Sequence, residues 1–285
     1  WRISSYSALV SHHSTAPPLP GLDLEVIDEQ DLPAVEQDEA EHNIFNFHKG
    51  AQAGTFLHEL FEEIDFTDHR NNLTPLLEQK SQVAGYEEHW IPVLEQLLDD
   101  VLYTRLSSTW LAPEKAPCLA DIANAKRLVE MEFMLPSQGL TANKLNQIIR
   151  LHDPLSRPAG DLVFDDLKGM LKGFIDLIFE YQGRYYILDY KSNHLGSQPE
   201  DYTVEALEVA MLEHRYDLQY QLYTLALHRL LQTRLPDYDY EIHFGGVFYL
   251  FLRGMKADSA GSGVFHCRPA LELVEQLDQL FREGR

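Results

Sequence analysis

The apolar positions of the chain change their period several times, and each change predicts an element. From Gln52 to Asp65, Phe56, Leu57, Leu60, Phe61 and Ile64 fall at helical spacing, and a longer helical region follows over Glu88–Ser107. A third short helix is expected near Ile122–Arg127. "LVEMEFML" then alternates as a strand, with Val129, Met131 and Phe133 on one side and Glu130 and Glu132 on the other. Residues 169–192 read as a hairpin, 205–232 as a long amphipathic helical region, and "YEIHFGGVFYLFL" as a buried strand. "RPALELVEQLDQLFREG" closes the chain as a helix, with Pro near its start and Gly near its end. Helices, then strands, then helices around one more strand predict an α/β fold bordering on α+β, with a small mixed sheet flanked by helices.

Within the hairpin, Gln182-Gly183 suits a two-residue turn, because glycine adopts the positive φ of primed turns. That turn pairs Tyr181 with Arg184, and counting back sets Asp176 opposite Asp189. Alternation then gives Lys191 the same face as both acids, while Ile175, Leu177, Phe179, Tyr186, Leu188 and Tyr190 take the other. Directly opposed like charges, about 5 Å apart at Cβ, destabilise a sheet. A divalent cation between them removes the repulsion, and hard oxygen donors point to Mg²⁺ or Mn²⁺. Lys191, roughly 7 Å along by strand rise, would approach a phosphate oxygen or an attacking water. A solvent-facing ion pair on an exposed sheet face is the plainer alternative for the same residues.

The 285 residues are 45% apolar, enough for a real core. No run of 18 apolar residues is present, which predicts no membrane span. Opening on Trp1 without a signal pattern suggests a soluble piece of a longer polypeptide. Two cysteines, Cys118 and Cys267, cannot supply four thiolates to an iron–sulfur cluster or a zinc ribbon, and they suit a reducing cytoplasm. The net charge of −22 repels nucleic acid at long range, so any DNA contact must be local, metal-assisted or delivered by a partner. Residues 3–48 lack Lys and Arg altogether. The expected division is therefore 1–45, an N-terminal segment with an acidic linker (17–44), and 46–285, one folded domain. The acidic stretch could be a solvated linker, or an arm that docks on a basic surface or occupies a DNA channel.

"GFID" at 173–176 with "LDYKSN" at 188–193 resembles the PD-(D/E)xK nuclease superfamily, specifically its RecB-like branch. "GTFLHELFE" at 54–62 is similar to that branch's G-x-x-x-H helix, "QYQLY" at 219–223 to its Q-x-x-x-Y motif, and "GGVFYLFLRG" at 245–254 to a further RecB segment. The resemblance covers nearly the whole chain, is strongest from about 169 to 254, and is weak over 14–45. It implies a restriction-endonuclease-like core and a DNA nuclease. His58, Asp176, Asp189 and the backbone carbonyl of Tyr190 would be metal ligands, and Lys191 the catalytic lysine. Glu130 or Glu132 would be a further acid, with Glu130 preferred. Gln219 and Tyr223, one helical turn apart, would contact DNA or support the site.

The implied cofactor is Mg²⁺, with Mn²⁺ or Ca²⁺ able to substitute in binding. The implied partners are DNA, a helicase portion of the same parent chain, RecC-like and RecD-like subunits, and a recombinase. No phosphate-binding G-x-x-x-x-G-K-[ST] loop occurs, so ATP would serve only the helicase portion. The two cysteines depart from related subunits that carry a four-cysteine iron–sulfur staple. Two other functions fit parts of the pattern: an inactive nuclease fold kept as a protein-docking module, and a glycan hydrolase using Asp176 and Asp189 as its acid pair.

Overall fold

The computed structural model describes residues 2–5, 7–10, 42–107, 113–259 and 261–283. Most of the acidic stretch, residues 11–41, lies outside them. The elements are β1 (Arg2–Ser5), α1 (Ala51–Glu63), α2 (Leu73–Ala84), α3 (Ile91–Tyr103), β2 (Arg127–Leu140) and α4 (Ala142–His152). After them come β3 (Leu167–Tyr181), β4 (Arg184–Lys191), α5 (Val204–Glu213), α6 (Tyr216–Arg234), β5 (Phe244–Phe251), β6 (Val264–Cys267) and α7 (Leu271–Glu283).

Among the described residues one mixed sheet carries all six strands in the order β1-β3-β4-β5-β6, with β2 along the other edge of β3. The β3–β4 ladder is antiparallel and β4–β5 parallel. Helices cover both faces. On one, α1, α2 and α3 pack on Leu177, Phe179, Leu188, Tyr190, Phe248 and Leu250. On the other, α4, α5, α6 and α7 pack on Leu171, Ile175, Ile187, Val247 and Tyr249. The strands are apolar on both faces because each face meets a helical layer.

The turn at Gln182-Gly183 has positive φ at both residues (52° and 78°), the signature of a type I′ hairpin. Tyr181 pairs with Arg184, and the register runs unbroken to Leu177–Leu188, as the turn dictates. The ladder ends there. On the same edge of β3, β1 pairs only with Gly169–Lys172, so residues 173–176 lie between the two partners. Across the sheet, β2 pairs with β3 on both sides of Glu130, at Val129–Leu177 and Met131–Ile175, and Glu130 itself has φ 50°.

This irregularity corrects the expected alternation. Leu177 and Val129 pack with the α1–α3 layer, whereas Ile175 and Met131 pack with the α4–α7 layer. Both strands change face at one step, so Ile175 does not share a side with Leu177 and Phe179.

Other expectations also change. Ile122–Arg127 is not a helix: it contains one 3₁₀ turn, Asn124–Lys126, and then β2 begins. The single helix expected over 205–232 is two, broken at Arg215, whose φ is 58°. Tyr240–His243 form a helical turn capped by the Asp239 carboxylate, and the strand starts only at Phe244. Residues Arg2–Ser5, inside the segment expected to precede the domain, extend its sheet.

Candidate active site

The acids sit where β3 and β4 part. Asp176, one step beyond the last ladder pair, turns its carboxylate toward β4, and Oδ2 accepts the Tyr190 N–H at 2.9 Å. The same oxygen lies 3.3 Å from His58 Nδ1 on α1. His58, Glu62, Glu130, Asp176 and Tyr190 line one small cavity with Phe61, Val129 and Leu177. The Tyr190 ring stacks on Phe61 with centroids 4.5 Å apart, which fixes the backbone whose N–H holds Asp176.

Asp189 and Lys191 project from β4 toward α6. Asp189 is 1% exposed and Lys191 3%, so the alternative of a solvent-facing ion pair on an exposed sheet face does not hold for them. Lys191 Nζ lies 2.7 Å from Asp189 Oδ1 and 4.0 Å from the centroid of the Tyr216 ring. Tyr249 stands at 5.5 Å on the same ammonium. A buried ammonium held by one carboxylate and two aromatic faces is compensated without water. Burial first, and then the charge of Asp176, pushes the Asp189 carboxyl up to about 7 against the opposing pull of Lys191. The two acids therefore sense each other although they reach the gap from opposite sides of the β4 backbone.

The sequence-derived residues divide accordingly. His58, Glu130, Asp176 and Tyr190 gather on the α1 side, and Asp189 and Lys191 on the α6 side. Glu132 is elsewhere, 3.4 Å from Lys172 Nζ. Gln219 and Tyr223 are 4% and 1% exposed and lie inside the protein. The Tyr249 hydroxyl donates to Gln219 Oε1 at 3.0 Å, and Gln219 Nε2 donates to the Tyr223 hydroxyl at 2.9 Å. The Q-x-x-x-Y pair thus fixes a ring beside Lys191.

Glu62 was not singled out from sequence. It follows His58 by four residues on α1 and faces the same cavity, a relation that i, i+4 spacing exposes. Burial raises its carboxyl above the ordinary value against the pull of His58, and Glu59 and Glu63 add to the rise.

No three His, Cys, Asp or Glu side chains among the described residues converge into a ready-made metal cage. Each acid instead faces a cationic or cation-forming neighbour, Asp176 against His58 and Asp189 against Lys191. The donor chemistry nonetheless suits a hard cation. Asp189 Oδ1 is buried and makes no well-directed hydrogen bond, for all that Lys191 is close, and two carboxylates with one imidazole lie at the gap.

A family model for the PD-(D/E)XK nuclease superfamily matches residues 33–284. Among curated proteins, the RecBCD enzyme subunit RecB of Escherichia coli (strain K12) is 45% identical over 285 residues, covering 99% of this chain and 23% of its own. The subunit of the same name from Haemophilus influenzae is 43% identical over 244 residues, 85% of this chain and 19% of its own. That of Mycobacterium tuberculosis (strain ATCC 25618 / H37Rv) is 34% identical over 268 residues, 83% of this chain and 24% of its own. The chain therefore spans a quarter or less of the length of these relatives. With the model matching almost from the acidic stretch to the last helix, the chain belongs to the PD-(D/E)xK nuclease superfamily.

Proposed function

We propose that this chain is a metal-dependent deoxyribonuclease of the exodeoxyribonuclease V type, the nuclease domain of a helicase–nuclease that processes DNA for double-strand break repair and recombination. The observation that carries the reading is the buried Asp189–Lys191 pair beside the Asp176–His58 pair at the parting of β3 and β4. The names of the RecBCD subunits it resembles support the assembly. Its partners would be DNA, the helicase portion of the parent chain, RecC-like and RecD-like subunits and a recombinase, in the cytoplasm. No described helix is long and apolar enough to cross a membrane.

Mg²⁺ is the ion we assign, held by His58, Asp176, Asp189 and the Tyr190 carbonyl, with Glu130 beside them. Bound there, it supplies Lewis-acid polarisation and charge relief on phosphoryl oxygens. The protein's part begins with Asp189, whose proton leaves near neutral pH and makes its carboxylate available. Asp176 is oriented by the Tyr190 N–H, which accounts for the direction of its carboxylate at the gap. Lys191, steadied by Tyr216 and Tyr249, offers a fixed positive charge to a phosphate oxygen or orients the attacking water. Single strands are the preferred substrate, because a motor would deliver them and the charge of −22 opposes unaided capture.

The test compares native protein with Asp189→Ala on a single-stranded oligonucleotide, in Mg²⁺ and in EDTA. Native cleavage in Mg²⁺, abolished by EDTA and by the substitution, is expected. Equal cleavage by both proteins would refute the site, and none by either would favour a docking role.

A further inference from the structure

Arg253, the residue after the Leu252 that ends "YLFL", is 1% exposed and carries a full charge into the interior. Its guanidinium is spent on main-chain carbonyls from two distant stretches. Nε donates to Ser192 O at 2.9 Å. Nη1 donates to Ile44 O at 2.5 Å and Phe47 O at 3.2 Å, and Nη2 to His48 O at 2.5 Å. Four carbonyl oxygens offset the desolvation of the cation, and only a planar fork of donors reaches them together.

The two stretches matter for where they lie. Ser192 directly follows Lys191. Residues 44–48 are the first turn of the domain after the acidic stretch, and they lead into α1, which bears His58. A second support comes from the same end of β5. Tyr202 packs over Gly254, where a Cβ would lie 2.2 Å from its ring. The Tyr202 hydroxyl accepts the Leu195 N–H at 3.1 Å and donates to Asn193 O at 3.3 Å. The segment leaving β4 is thus held by Arg253 at Ser192 and by Tyr202 at Asn193 and Leu195.

We propose that Arg253 is a positioning residue that locks the strand end bearing Lys191 to segment 44–48, so that turnover depends on how that segment is seated. This rests on the function proposed above. It gives the acidic stretch a physical route to the active site: a pull on residue 44 acts on the carbonyl neighbouring Lys191 through one side chain.

The experiment uses the full 285-residue chain with Arg253→Lys and Arg253→Gln, which keep bulk but not the fork; Arg253→Ala is the harsher variant. Three quantities are read: the melting temperature, kcat and KM on a single-stranded oligonucleotide in Mg²⁺, and amide hydrogen exchange of peptides covering 44–48 and 192–195. We expect Arg253→Lys to fold, to lose at least tenfold in kcat with KM within twofold, and to lose exchange protection in both peptides together. Unchanged kcat in a folded variant, or loss of protection in one peptide alone, would overturn the proposal. Should native protein cleave no DNA, the function fails, while the exchange data still decide whether Arg253 joins the two stretches.

Discussion

His266 offers a quantitative test of how this interior handles charge. It sits on β6 opposite Phe248 of β5, with ring centroids 4.6 Å apart, and its Nε2 is buried without a hydrogen-bond partner. Burial is the main cause that lowers its pKa from 6.5 to about 4; the Gly245 backbone contact opposes this and Arg268 assists. The folded state thus holds the ring neutral through a range in which the unfolded chain protonates it. Stability from this residue is present above pH 6.5 and is lost as pH falls toward 4. At pH 5 an unfolded imidazole is protonated by roughly 30 to 1, and the folded one only about 1 to 10. The difference corresponds to about 2 kcal/mol lost between pH 7.5 and pH 5. His266→Phe keeps an aromatic ring against Phe248 and removes the proton site. Denaturant unfolding of both proteins at the two pH values, in EDTA, gives the measurement. The native protein should lose about 2 kcal/mol more than the variant on acidification, since His48 and His228 contribute equally to both. A difference independent of pH, or a variant that suffers more from acid, would refute the reasoning.

Two further outcomes follow from the site. Gln219→Leu removes the acceptor of the Tyr249 hydroxyl and the donor to Tyr223; a loss of about 1–3 kcal/mol in urea unfolding is expected. Its kcat should fall more than its KM changes, because the ring beside Lys191 loosens while the surface stays intact. Glu62→Gln removes a carboxylate whose charged form burial disfavours. Its unfolding midpoint should therefore rise at pH 8 and show no such gain at pH 4, where the native group is already protonated. A midpoint that falls at pH 8 would mean that the charge of Glu62 stabilises the fold.

The hairpin register was legible because two local signals agree on it, the Gln182-Gly183 turn and the period-two alternation from Leu177 to Leu188. The gap that shapes the site was not legible. Alternation presumes a continuous ladder, and nothing in "KGFIDL" announces that residues 173–176 lie between two strand partners. Nor does "VEMEF" announce a positive φ at Glu130, a conformation unusual for glutamate. Four-residue strands such as β1 and β6 carry too few positions for periodicity to show. The break at Arg215 was hidden because apolar and aromatic residues run through both α5 and α6, although α5 buries one face only and α6 nearly its whole circumference. Arg253 and Glu62 were legible only in part, since their roles depend on carbonyls and cavities that no pattern reports.

The change of face at Glu130 and Asp176 does more than break a pattern. With unbroken alternation, Asp176, Asp189 and Lys191 would crowd one side of the hairpin, and the helix covering that side would bury two acids against one ammonium. Because β2 and β3 switch together, their apolar residues still reach the two cores, Leu177 with Val129 and Ile175 with Met131. Only the residues at the switch are displaced toward the cavity edge. Asp176 there takes its hydrogen bond from the β4 backbone and pairs with His58, leaving Lys191 to Asp189. Splitting the charges between two sides of one strand lowers their mutual repulsion. The remainder is still sufficient to push the proton affinity of Asp189 to near neutrality. A carboxyl poised there exchanges its proton with solvent near physiological pH, so a proton and a cation would compete for Asp189 within that range.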